Sequence, residues 1–169
     1  MRITVTGANG NVGRRLIRKL SEQGEKDIVA LVRSERSAQI LIDEGLDVDI
    51  HVVNYDDANG IKTAVGECDL VYHLVGIIKE SRDNSFHTAH EAACRALCDA
   101  QLGAQHIINL GIVGTSLSSD NACLKSRATA EAILNAGSAC VTTLRVPMVL
   151  GEGDYASFAL ARKARNLIA

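Results

Sequence analysis

Residues 2–13 read Arg-Ile-Thr-Val-Thr-Gly-Ala-Asn-Gly-Asn-Val-Gly, a β-branched run that breaks into three glycines at every third position. Glycines in such a loop let the backbone turn tightly and approach a phosphate with no Cβ in the way. Helical periodicity follows at once, so the amides of the first helical turn would face the same anion. The strand before the glycines and the helix after them predict a pyrophosphate-binding turn. The residues expected to contact the ligand there are Thr6, Gly7, Asn9, Gly10, Asn11, Val12, Gly13 and Arg14.

Length and composition indicate one domain with a sizeable core, because 47% of the 169 residues are hydrophobic. The net charge is −2 and the basic residues are scattered, except for a short group on the first predicted helix. A nucleic-acid surface needs a dense basic face, so we expect no nucleic-acid partner. No apolar run approaches the roughly 20 residues of a membrane span. The chain starts directly with a strand, from which we expect no signal peptide.

The number and spacing of the cysteines indicate a reducing compartment. Their number is odd and their spacing unpaired, which fits small buried thiols in a reducing cytoplasm better than a disulfide framework. They are Cys68, Cys94, Cys98, Cys123 and Cys140.

The rest of the chain alternates strand and helix patterns. Several strands are continuous apolar runs, such as LVYHLV at residues 70–75, as expected when both faces of a parallel sheet are covered. The alternation predicts an α/β fold with a doubly wound parallel sheet between two helix layers. Predicted strands cover residues 2–6, 28–32, 48–53, 69–75, 105–110 and 140–145, and predicted helices cover 11–23, 35–43, 57–65, 85–102, 121–136 and 155–167.

Three segments resemble the short-chain dehydrogenase/reductase superfamily, in its extended and atypical branches. The first is TGANGNVG at residues 6–13, similar to that superfamily's TGxxGxxG loop. The second, YHLVG at 72–76, looks like the strand that passes under the adenosine half of the cofactor. The third pairs LRVP at 144–147 with GEGD at 151–154. The sequence is similar to NAD-dependent epimerases/dehydratases, to NmrA-like regulators and to complex I accessory-subunit-like proteins.

The resemblance implies an NAD(P)-binding Rossmann domain over residues 1–169, with Leu74, Val75 and Gly76 as further cofactor contacts. Such proteins usually carry a smaller C-terminal part that binds substrate. This chain stops within its sixth predicted helix, so we expect that part to be absent or truncated.

The catalytic signature of the superfamily is where this sequence departs from it. Gly111 stands at the position of the serine that polarises the substrate carbonyl, Cys123 at that of the tyrosine, and Arg127 at that of the lysine. The tyrosine exchanges a proton with the substrate and the lysine lowers its pKa, whereas an arginine cannot act as a base. The standard mechanism is therefore not expected. Weak substitute candidates are Thr115, Ser116, Cys123 and Arg127.

The residues after the second and third strands bear on cofactor choice. Arg33 ends the second strand, where an NAD-specific site places an acidic residue against the ribose hydroxyls. A cation there favours the 2′-phosphate of NADP(H), with Arg14 closing from the other side, although nearby Glu35 could instead favour NAD(H). After the third strand, the resemblance implies an adenine contact from Asn54, beside Tyr55.

Asp57, at the next helix start, is better explained as an N-cap.

Two alternative sites are weaker. His87, His90, Cys94 and Cys98 recur on one face of the fourth predicted helix, but four ligands along about 16 Å cannot converge on one ion. We expect no metal site and interpret the cysteines as small core residues. Cys123 could be a reactive thiol, since a helix N-terminus and nearby cations lower a thiol pKa.

Three functional hypotheses remain. The first is a binding module that holds NADP(H) as a structural or sensing ligand, with a partner protein or a second copy completing it. The second is a reductase or sugar-nucleotide-type epimerase/dehydratase that uses a substitute acid, with substrate contacts from a missing C-terminal region or a partner. The third is a scaffold whose glycine loop is vestigial.

Overall fold

The computed structural model describes residues 1–147, 149–151 and 155–168. Its six parallel strands form one sheet in the order β3-β2-β1-β4-β5-β6. The strands are β1 (Ile3–Thr6), β2 (Ile28–Val32), β3 (Asp49–Val52), β4 (Leu70–His73), β5 (His106–Ile112) and β6 (Cys140–Val146). The helices are α1 (Asn11–Glu22), α2 (Glu35–Asp43), α3 (Ala58–Val65), α4 (Ala93–Asp99), α5 (Ala122–Asn135) and α6 (Tyr155–Ile168). The predicted doubly wound α/β fold is confirmed.

Helices cover both faces of the sheet and create two hydrophobic cores. One core joins α1 and α2 to one face of β1 and β2, with Ile17 and Leu41 fully buried. The other joins α3, α4 and α5 to the opposite face, with Val71 and Leu134 fully buried. Alternation along each strand sends successive side chains to opposite cores, and this explains the continuous apolar runs in the sequence.

Several helices begin at polar residues whose side chains accept a hydrogen bond from the first turn. Asp57 accepts from the Gly60 amide at 3.0 Å, which confirms it as an N-cap. Ser34 and Asn121 cap α2 and α5 in the same way. These caps fix where the loops at the carboxyl edge of the sheet end.

Most predicted bounds shift by one or two residues in the structure, and two elements differ in ways that bear on the site. β4 ends at His73 instead of residue 75, because its partner β1 makes its last pair there, Thr6 opposite His73. The fourth helix is not a uniform α-helix: a π-helical segment, His87–Ala92, leads directly into α4. A π-helix bonds each residue to the fifth along, so the three-and-four spacing used to predict one common face does not apply there.

Within the part of the chain that the structure describes, no helix is both long and apolar enough to cross a membrane. In α6, Phe158 and Leu160 are largely exposed. Residues 152–154 of the GEGD motif lie outside the described residues.

Candidate functional site: a dinucleotide cleft at the strand ends

The glycine loop connects β1 to α1, and its three glycines do different things. Gly7 has φ +69°, a left-handed conformation that favours glycine. A Cβ on Gly13 would lie 2.6 Å from the carbonyl oxygens of both Gly7 and Ala8, so this glycine lets the helix pack on the loop. A Cβ on Gly10 would meet only the Gly7 carbonyl oxygen, at 3.2 Å, and otherwise open space. Gly10 therefore keeps clear the space that a pyrophosphate would need.

The first turn of α1 provides the donors for that anion. Its N-cap is Gly10, which has no side chain to cap the helix. The first intrahelical bond runs from the Arg14 amide to the Gly10 carbonyl oxygen at 3.0 Å, so the preceding amides have no acceptor within the helix. Free amides and the positive end of the helix dipole fit a pyrophosphate.

These elements open into a cleft of about 140 Å³ at the carboxyl ends of β1, β2 and β4. β1 lies between β2 and β4, so the chain connections run in opposite directions from it, and such a switch point is where α/β sheets bind ligands. Eight predicted cofactor residues line the cleft: Gly7, Asn9, Gly10, Arg33, Tyr55, Leu74, Val75 and Gly76.

Two lining residues were missed from the sequence. Ile77 directly follows the YHLVG motif, and extending that motif by one residue would have found it. Ala89 lies in the π-helical segment, whose wider turns no sequence pattern signals.

The remaining predicted contacts are placed elsewhere. The Thr6 hydroxyl is buried and lies 2.9 Å from Nδ1 of His73. Arg14 forms an ion pair with Glu44, and Asn54 is exposed. Asn11, Val12 and Gly13 lie in the first turn of α1, beside the cleft lining.

Tyr55 ties the glycine loop to the neighbouring strand. Its hydroxyl accepts a hydrogen bond from the Gly7 amide at 2.9 Å and donates one to the Leu31 carbonyl oxygen at 2.7 Å. Burial raises the pKa of Tyr55 to about 12, so the hydroxyl keeps its proton and can make both bonds. Tyr55 therefore links the backbone of the glycine loop to the end of β2.

Arg33 lies at the exposed edge of the same cleft. Its Nη1 donates to the Asn84 side-chain oxygen at 2.9 Å, and its Cζ lies 6.0 Å from the centre of the Tyr55 ring. The guanidinium is thus held from two sides at the end of β2.

Arg127, where the resemblance implies the catalytic lysine, carries a partly buried guanidinium. Arg127 Nη1 donates to the carbonyl oxygens of Leu110 at 3.1 Å and Val75 at 3.5 Å. A Cβ on Gly76 would collide with Nη2, so the guanidinium fills the space above that glycine. Burial lowers the pKa of Arg127, and its Nε has no acceptor among the described residues.

The resemblance places Gly111 and Cys123 at the serine and tyrosine positions. A Cβ on Gly111 would lie 2.7 Å from Oε1 of Glu131 and 2.8 Å from Cγ2 of Thr143, so a serine would fit there only if these side chains moved. Cys123 Sγ lies 3.6 Å from the Ile77 carbonyl oxygen. Burial raises the pKa of the Cys123 thiol more than nearby Arg127 lowers it, and the predicted depression of that pKa is wrong.

The other substitute candidates follow β5. The Thr115 hydroxyl is buried and donates to the Ile112 carbonyl oxygen at 2.6 Å. The Ser116 hydroxyl is exposed and lies 2.9 Å from that of Ser118.

The four residues predicted on one helix face, His87, His90, Cys94 and Cys98, differ in exposure: His90 and Cys94 are buried, and His87 is exposed. His73 Nε2 lies 3.4 Å from the Cys94 sulfur, and His90 Nε2 contacts the Ile77 backbone. Burial lowers the pKa of His73 to about 3 and of His90 to about 4, and raises that of Cys94 to about 12. His87 instead faces solvent beside Glu91. Among the described residues, no three His, Cys, Asp or Glu side chains are grouped to hold a metal.

Comparison with known proteins decides the family. A family model described as NAD(P)H-binding matches residues 7–165. The chain belongs to this NAD(P)H-binding family. It is 32% identical over 157 residues to the mitochondrial NADH dehydrogenase [ubiquinone] 1 alpha subcomplex subunit 9 of Arabidopsis thaliana, covering 89% of this chain and 39% of that protein.

Two solved structures share the fold. Triphenylmethane reductase of Citrobacter sp. with NADP(H) has a TM-score of 0.67 and 25% identity, covering 85% of this chain and 48% of that one. The enzyme WbmG of Bordetella bronchiseptica with NAD has a TM-score of 0.69 and 19% identity, covering 86% and 52%. The predicted NAD(P)-binding domain is confirmed. The chain spans about half the length, or less, of these proteins.

Proposed function

We propose that this domain holds NADP(H) as a structural or sensing ligand and does not carry out the proton transfer of the family's dehydrogenases. The carrying observation is the partly buried Arg127 guanidinium, held by two backbone carbonyl oxygens where the resemblance implies the lysine. Because an arginine stays protonated and burial raises the pKa of the Cys123 thiol, neither residue is a ready base near neutral pH. The crowding at Gly111 supports the same proposal, since a serine there would require the Glu131 and Thr143 side chains to move.

Different parts of the chain would bind different parts of the cofactor. The amides at the start of α1 would take the pyrophosphate, and the adenosine half would extend over the end of β2, where Arg33 lies. The cofactor, when bound, supplies hydride chemistry. For a 2′-phosphate, Arg33 provides a charge-assisted hydrogen bond that NAD(H) cannot use.

Two measurements test this function together. Calorimetric titration should show NADPH binding more tightly than NADH, and Arg33→Ala should weaken NADPH at least about tenfold while sparing NADH. With NADPH and a panel of aldehydes, ketones and quinones, turnover should stay at background, with a known short-chain reductase as the assay control. An ordinary enzymatic rate that Cys123→Ala removes would contradict the proposal.

A reductase or epimerase/dehydratase is the second candidate. It is favoured by the similarity to the Citrobacter reductase and by this chain spanning about half of that protein. In this case Thr115, Ser116 or Cys123 would supply the acid, and substrate contacts would come from a further region or a partner. Turnover that appears only after such a region or partner is added would support it.

We also propose a reducing location, the cytoplasm, and assembly with a partner protein or a second copy. The five cysteines are free thiols, which agrees with a reducing compartment. The plant relative is named as mitochondrial, so fractionation of the native protein is the deciding measurement.

A further inference from the structure

Beyond the cleft lining, one loop residue is placed to act on cofactor choice. Asn84 lies in the loop between β4 and the π-helical segment, fifty-one residues along the chain from Arg33. Its side-chain oxygen accepts the 2.9 Å hydrogen bond from Arg33 Nη1. An arginine can only donate, so the oxygen of the Asn84 amide must face it and the NH₂ group must point elsewhere.

The loop that carries Asn84 is anchored at both ends. Its tip is a tight turn in which the backbones of Ser81 and Asn84 bond each other, at 3.0 and 3.3 Å. The Phe86 amide donates to the Glu80 carboxylate at 2.7 Å. At the start of the loop, His90 contacts the Ile77 backbone. Asn84 is therefore a fixed point, and a flexible arginine would be positioned by it.

The pair leaves donors free on both members. Arg33 uses only Nη1 in its hydrogen bond, and no acceptor among the described residues contacts the Asn84 NH₂ group. A guanidinium and an amide NH₂ held side by side at the end of β2 can both donate to one phosphate group. A ribose without the phosphate offers these donors only a neutral hydroxyl oxygen in place of charged phosphate oxygens.

We infer that Arg33 and Asn84 together form a clamp for the 2′-phosphate of NADP(H), with Asn84 positioning the guanidinium and donating from its own NH₂ group. The clamp joins two distant segments of the chain, since Arg33 directly follows β2 and Asn84 lies in the loop after β4. This inference rests on the proposed preference for NADP(H) and extends it to a residue outside the glycine loop and the strand ends.

The test compares ligands that differ by one phosphate. Calorimetry on the full chain would measure NADPH against NADH, and adenosine 2′,5′-bisphosphate against AMP, which removes any nicotinamide contact. Asn84→Ala should weaken both 2′-phosphorylated ligands about fivefold and change NADH and AMP less than twofold. Asn84→Asp keeps an acceptor for Arg33 but brings a negative charge to the phosphate, so the loss should exceed about tenfold.

Ser81→Ala is the matched control, because it lies in the same turn and keeps the same backbone hydrogen bonds. It should leave all four affinities unchanged. Equal weakening of phosphorylated and unphosphorylated ligands by Asn84→Ala would show a structural role only and overturn the clamp. Tighter NADPH binding by Asn84→Ala would show that Asn84 competes for Arg33, and would overturn it too.

The two levels of the proposal fail differently. A wild-type preference for NADPH that Arg33→Ala removes and Asn84→Ala leaves intact would overturn the clamp alone. Equal binding of NADPH and NADH by the wild type, unchanged in Arg33→Ala, would overturn both the cofactor preference and the clamp.

Discussion

The two glycine-rich regions at the carboxyl edge of the sheet differ in whether the space beside their glycines is open or filled. At the β1–α1 turn, Gly10 leaves space and the backbone amides remain free. At the β4–β5 end, Arg127 fills the space above Gly76, and Glu131 crowds Gly111. Both ends are rich in glycine, yet one is open and the other is occupied. Under the proposed function, the open end binds the dinucleotide and the occupied end leaves little room for the usual catalytic side chains.

The largest expected loss of cofactor affinity comes from a substitution in the open glycine loop. Gly10→Val should weaken cofactor binding at least about a hundredfold, a loss of about 3 kcal/mol in binding free energy, because the branched side chain enters the space of the pyrophosphate. The free energy of unfolding should change by less than about 1 kcal/mol, since the backbone at Gly10 is in an ordinary extended conformation. Calorimetry and urea unfolding measure the two effects. Retained affinity would place the phosphates elsewhere.

Gly13→Ala tests the other role of the loop. The added Cβ would meet two backbone carbonyl oxygens at 2.6 Å, so the helix must move away from the loop. We expect the free energy of unfolding to fall by about 2–3 kcal/mol, despite the better helix propensity of alanine. Gly10→Ala is the control and should cost less than about 1 kcal/mol. Equal costs at the two positions would mean that Gly13 does not set the helix packing.

The buried histidines predict an acid-sensitive fold. The pKa of His73 falls to about 3 and that of His90 to about 4 in the folded protein, below the ordinary value of about 6.5. The unfolded chain therefore binds these protons first, and stability is present above pH 6.5 and lost as the pH falls towards 4. Between pH 7 and pH 5 the loss should be about 2 kcal/mol for each histidine. Urea unfolding at both pH values measures it, and His90→Gln should reduce the slope. A pH-independent free energy of unfolding would contradict the burial of both rings.

The smallest effect is expected at the filled end. Arg127→Met removes the guanidinium but leaves the glycine loop untouched, so NADPH affinity should change less than about threefold. The Nε of Arg127 has no acceptor among the described residues, and an apolar replacement of similar volume is often neutral for stability. A large loss of affinity, measured by the same calorimetry, would show that the two ends act as one site.

The sequence predicted the open end better than the filled end. The glycine loop and its flanking elements are local features, and Gly7, Gly10, Arg33 and Tyr55 line the cleft as expected. The π-helical turn was not predictable, because it is a matter of backbone hydrogen bonds and not of residue pattern. The raised pKa of Cys123 was also missed, since burial depends on residues distant in sequence.

The Arg33–Asn84 contact joins residues from different segments. A single sequence contains no signal for such a pair. Its consequence for cofactor choice could be inferred only from the folded chain.

The hydrogen bond from the Gly7 amide to the Tyr55 hydroxyl bears on how much of the chain is needed to form the phosphate-binding turn. The smallest unit usually thought of as a phosphate-binding motif is a strand, a turn, a helix and a second strand, which here would end at Val32. In this protein the hydroxyl that fixes the turn comes from beyond β3, and it also bonds the Leu31 carbonyl oxygen. A fragment that stops at β2 could form the helix but would lack this support. The turn therefore takes its hydrogen-bond support from a residue that follows the third strand, and a chain cut before residue 55 lacks it.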